Sequence, residues 1–129
     1  MKKIISIIGL TAIILLTSFD RLEKRNFQVK KIVIDAGHGG HDPGTNGLIS
    51  KEKDIALKIA LKLGAYIDEK LPDVEVIYTR DNDTFVELHG RAYMANKNGA
   101  DLFVSIHCNA FPPNPEVTGT ETYVMGLSK

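Results

Sequence analysis

Two histidines and one glutamate stand where an α/β chain would bring side chains together. His38 follows the apolar run Ile32-Val33-Ile34, and His107 ends the run Asp101 to His107 (D-L-F-V-S-I-H). The first run is continuous and β-branched, as in a strand buried on both faces. Each histidine then sits at a strand's carboxyl end, where open α/β sheets place their ligands. Glu52 lies in the first turn of an amphipathic stretch beside the loop that carries His38. Two imidazoles and one carboxylate, with a fourth position open to water, form the ligand set of a catalytic zinc site. Nitrogen and carboxylate donors without thiolate favour zinc over an iron–sulfur cluster. Such a metal polarises a carbonyl and lowers the pKa of its bound water toward about 7. Singly, a histidine after a strand is an ordinary loop residue, and a first-turn glutamate serves the helix dipole. Their convergence is what points to a metal. Asp35 or Asn109, each close to a histidine in sequence, is the candidate to fix a ring by a hydrogen bond. The glycines beside His38 leave a substrate room to approach.

The elements that must position these residues follow in order. Lys31 to Ala36 reads as a strand, and Gly37 to Ser50, with five glycines and Pro43, as a loop. Lys51 to Leu71 reads as a helix, with Ser50 as N-cap, Pro72 as stop and an inward stripe of Ile55, Ile59, Leu63, Ile67 and Leu71, with Ala56 and Ala60 alongside and Glu52 sharing it. Val74 to Thr79 reads as the second strand and Arg80 to Thr84 as a charged turn. Phe85 to Asn98 is predicted to be a second helix, with Leu88, Ala92 and Ala95 inward and Gly99 ending it. The third strand follows, and the alternating Thr118 to Met125 is read as a fourth. The β-α-β-α-β order predicts a three-layer α/β/α architecture with a mostly parallel sheet. If His38 and His107 share a ligand, right-handed crossovers require the strand order 2-1-3.

The 129 residues, 43% hydrophobic and 25% charged, suit one small domain. Sixteen basic residues balance sixteen acidic ones, without the clustered basic face that a nucleic acid requires. Lys2 and Lys3 precede the 13-residue, mostly apolar run Ile4 to Leu16. That run is shorter than the roughly 20 residues of a bilayer span and fits a secretory signal, or else an uncleaved anchor. Residues 1–20 are therefore expected to be a signal peptide or N-terminal anchor, 21–30 a linker, and the domain to lie outside the cytoplasm. A membrane is expected to be engaged only through that first segment. Cys108 is the only cysteine, so no intramolecular disulfide forms.

The motifs I-V-I-D-A-G-H-G-G-H-D-P-G, K-E-K-D-I-A-L, V-I-Y-T-R-D-N-D-T-F, R-A-Y-M-A-N and A-D-L-F-V-S-I-H-C-N-A appear in succession. Together with G-T-E-T-Y-V they resemble the signatures of zinc-dependent N-acetylmuramoyl-L-alanine amidases, over about residues 30 to 125. The resemblance implies that His38, Glu52 and His107 are the metal ligands and Zn2+ the cofactor. It implies hydrolysis of the amide between N-acetylmuramic acid and L-alanine in peptidoglycan, by an exported protein of the periplasm or cell wall. His41 falls on a variable position and reads as surface or substrate-facing, His89 as an exposed helical residue, and Cys108 as a small hydrophobe. Arg80, Arg91 and Asn96 match recurrent positions and read as anchors for the charged turn and second helix.

The same resemblance implies a second glutamate as proton shuttle, on a later strand beyond Lys129. Residues 31–129 are thus expected to be the N-terminal part of a catalytic domain. The implied strand order is 2-1-3-5-4, with the fifth strand missing and Glu121 structural. The alternative reading is a remnant that binds zinc or cell wall without turnover. A phosphate-binding loop at Gly37 to Gly47 ranks below both, because about ten residues separate the first glycines from the helix.

Overall fold

The strand β1 (Lys31–Ala36) forms the centre of the molecule, with every residue after Lys31 buried. A computed structural model describes residues 28–109 and 119–124. The remaining elements are α1 (Glu52–Lys70), β2 (Glu75–Tyr78), α2 (Leu88–Lys97) and β3 (Leu102–Ile106). The proposed signal or anchor and most of the proposed linker lie outside the described residues. Among those described, no helix is long and apolar enough to cross a membrane.

The sheet has the expected order β2-β1-β3, and both pairings are parallel. Ile34 pairs with Tyr78 on one side and Val104 on the other. Successive strand side chains face opposite ways. Ile32, Ile34 and Ala36 pack against Ala60 and Ile67 of α1, whereas Asp35 points to α2 and meets Arg91. The two helices therefore cover opposite faces. Burial of β1 on both sides accounts for its unbroken apolar run.

Four details depart from the sequence reading. The inward row of α1 holds Glu52, Ala56, Ala60 and Ile67 as read, but Gly64 joins it and Ile59 and Leu71 are exposed. Small residues let the helix lie close to the sheet. A Cβ on Gly64 would fall 1.6 Å from the Tyr78 hydroxyl. The N-cap of α1 is Lys51, with no side-chain hydrogen bond, not Ser50. α2 starts at Leu88, three residues later than expected, and of its supposed inward residues only Ala95 is buried. Leu88 is 79% exposed and borders a cavity beside β3. Lastly, residues 119–124 form no strand. An alternating pattern makes a strand only with a ladder partner, and the described sheet contains three strands. Thr118 and Met125 lie outside the described residues.

Candidate metal centre

His38 owes its placement to the turn that leaves β1. The last ladder bond there runs from the Gly37 N–H to the Ile106 carbonyl at 3.0 Å. His38 then adopts the left-handed region, φ 61°, which is uncommon for a non-glycine residue. Gly39 and Asp42 exchange two backbone hydrogen bonds at 3.0 Å, closing the turn. His107 follows β3, one strand over. Glu52 opens α1, whose start is tied to the same loop by the Glu52 N–H on the Thr45 carbonyl.

These three side chains meet. Their ligand atoms lie within 4.8 Å of one another. Glu52 Oε1 is 3.1 Å from His38 Nε2 and 3.0 Å from His107 Nδ1. The imidazoles stand edge to face with centroids 4.9 Å apart. Glu52 is only 5% exposed yet well supplied with donors. The Cys108 N–H donates to Oε1 at 2.8 Å and the Thr45 N–H to Oε2 at 2.9 Å. Burial alone would raise the Glu52 pKa. The two backbone donors and the His107 hydrogen bond outweigh it and hold the carboxyl below its usual range.

Close packing around the trio depends on glycine. A Cβ on Gly37 would lie 2.4 Å from the His107 ring, and one on Gly44 2.6 Å from His38 and 2.8 Å from Glu52. Gly37 thus makes room for the His107 ring, where the sequence reading left room for substrate. Cavities of about 400 and 490 Å³ open beside the trio. The smaller has an apolar wall of Phe85, Val86, Leu88, Ala92 and Phe103.

The residue that orients His38 is Asp42, whose Oδ2 accepts from Nδ1 at 2.8 Å. Neither residue named from the sequence does so. Asp35 lies under the sheet end, bonded by Thr79, Ser105 and Arg91, and Asn109 donates to Glu121 at 3.3 Å. The missed signal is Asp42's position four residues on, across two glycines whose positive φ turns the chain back.

Arg80 and Arg91, read as anchors of the charged turn and second helix, tie those elements to β1. Both are nearly buried and donate to the Ala36 carbonyl. His41 is exposed and packs against Phe85 with the rings tilted by 41° and centroids 4.1 Å apart. His89 and Asn96 are exposed. Cys108 is half-buried, and its backbone serves Glu52. Glu121 is exposed and accepts from Asn109 and Tyr123.

Residues 32–129 match the family model described as N-acetylmuramoyl-L-alanine amidase. The chain is 48% identical over 94 residues to the endolysin of Bacillus phage SPP1, covering 73% of this chain and 33% of that protein. It is 42% identical over 94 residues to the sporulation-specific N-acetylmuramoyl-L-alanine amidase of Bacillus subtilis, covering 73% and 35%. The crystal structure of an N-acetylmuramoyl-L-alanine amidase from Clostridium difficile 630 superposes with a TM-score of 0.66 at 41% identity, covering 72% of this chain and 50% of that one. The chain spans about a third of the length of these curated relatives. On this match, carried by nearly the whole described fold, the chain belongs to the N-acetylmuramoyl-L-alanine amidase family.

Proposed function

We propose that His38, Glu52 and His107 form the zinc site of a peptidoglycan amidase, cleaving the amide between N-acetylmuramic acid and L-alanine outside the cytoplasm. The observation that carries this reading is the gathering of three donors, distant in sequence, within 4.8 Å. The donor set fits the ion: two neutral nitrogens and one carboxylate are what zinc takes at a catalytic centre. Zinc held there supplies Lewis-acid polarisation of the amide carbonyl and acidifies water.

The chain's own residues do the rest of the positioning. Glu52 brings a negative charge that backbone donors keep ionised against the cost of burial and hold still. Asp42 takes the Nδ1 proton of His38 as a hydrogen bond, which leaves Nε2 facing Glu52 with a free lone pair. The apolar wall of the neighbouring cavity flanks His38 and His107.

A second reading, metal or wall binding without turnover, is favoured by one observation. Among the described residues no further carboxylate joins the trio. Asp42 is engaged by His38 and Gly44, and Glu121 by Asn109 and Tyr123. Incubating the purified chain with peptidoglycan, with and without a chelator, separates the two. Zinc-dependent release of stem peptides supports the amidase. Stoichiometric zinc with no release supports the binding remnant.

A further inference from the structure

We propose that Arg91 is a positioning residue for His38, an inference resting on the reading of His38, Glu52 and His107 as a metal centre. Beyond the Gly37 N–H the chain leaves the sheet, so the carbonyls of Ala36, Gly37 and His38 need donors from elsewhere. Two buried guanidinium groups supply them. Arg80 donates to Ala36 O at 2.9 Å and to Gly37 O at 2.8 Å. Arg91 donates to Ala36 O at 2.7 Å and to His38 O at 2.8 Å. Three consecutive carbonyls are thus clamped as the backbone enters the left-handed region at His38.

Arg91 holds the ligand's own carbonyl while Asp42 holds its ring. Fixing both ends aims Nε2 at Glu52. Arg91 is itself held: Nε donates to Val86 O at 3.0 Å and Nη1 to Asp35 Oδ1 at 2.7 Å. Asp35 is fixed in turn by Thr79 and Ser105. A residue that only anchored α2 to the sheet would need the Asp35 and Val86 bonds alone. The bond to His38 lies outside that task. Lysine, a point charge on a flexible stem, cannot span these four acceptors.

Cobalt(II) titration of the full chain tests this, read by visible absorption bands and chelator competition, with circular dichroism reporting the fold. A wild-type chain that binds no cobalt overturns the metal-centre reading itself. With cobalt bound by wild type, Arg91→Lys is expected to keep its circular dichroism, alter the bands and bind about 10- to 100-fold more weakly. In a His38→Ala background the same substitution is expected to cost nothing further, because its effect runs through His38. Unchanged bands and affinity, or an equal loss with and without His38, overturn the proposal. Should Arg91→Lys unfold, Ser105→Ala loosens Asp35 more gently. A several-fold weaker cobalt affinity then supports the proposal, and an unchanged one overturns it.

Discussion

Asp42 accepts a hydrogen bond from His38 across a turn of four residues, at 2.8 Å between Oδ2 and Nδ1. The His38 bond and the Gly44 N–H hold the Asp42 carboxyl below its usual pKa. It is an ionised acceptor that fixes the tautomer of its histidine. Asp42→Ala is expected to weaken zinc binding about 10- to 100-fold with little change in melting temperature. Asp42→Asn, which keeps an acceptor, is expected to fall between. Competition titration against a zinc chelator measures both.

The contact between Gly64 and Tyr78 predicts opposite outcomes for one substitution at two helical glycines. Alanine at an exposed helix interior gains about 0.5–1 kcal/mol over glycine. At Gly64 the added Cβ meets the Tyr78 hydroxyl at 1.6 Å, and overpacking costs about 1–3 kcal/mol. The cost exceeds the gain, so Gly64→Ala destabilises. At Gly90 the nearest atom is 3.6 Å away, ordinary contact, so Gly90→Ala stabilises by up to about 1 kcal/mol. Urea midpoints of the two variants check the signs.

Stability toward acid depends on Asp35. Burial alone would raise its pKa, but bonds from Ser105, Thr79 and Arg91 outweigh that and hold it below its usual value. A carboxylate depressed in the folded state contributes stability that is complete above the unfolded pKa, about 3.9. That contribution is lost as pH falls through the folded value. Asp35→Asn leaves Arg91 without its buried counter-charge and is expected to cost about 3–5 kcal/mol at neutral pH. Its stability is expected to fall less steeply than wild type below pH 4. Urea titrations repeated at several pH values test this. Parallel wild-type and variant curves below pH 4 would contradict it.

What was legible in the sequence is what burial and topology determine. β1 is covered on both faces, so its strand was visible as an unbroken apolar run, and the β-α-β-α-β order then left 2-1-3 as the arrangement that joins His38 and His107. Periodicity finds Glu52, Ala56, Ala60 and Ile67 on the inward row of α1 but also counts Ile59 and Leu71, which are exposed. Close approach to the sheet adds Gly64, where Tyr78 fills the space a side chain would take. Asp42 was invisible because its reach to His38 depends on the left-handed turn at residues 38–40, which spacing alone does not disclose. The carbonyl-binding roles of Arg80 and Arg91 depend likewise on where β1 leaves the sheet. The pattern at residues 119–124 was read correctly as alternating, but periodicity says nothing about a partner strand.

His38, Glu52 and His107 are expected to hold one divalent ion between them. X-ray absorption at the zinc edge, on the full chain and on Glu52→Gln, reads this in a single experiment. One zinc per chain is expected, with two imidazole nitrogens and a carboxylate oxygen in its shell, and Glu52→Gln is expected to weaken binding more than about 100-fold. A chain that takes up no zinc, or whose zinc shell and affinity are untouched by Glu52→Gln, would rule out a shared metal centre at these three residues.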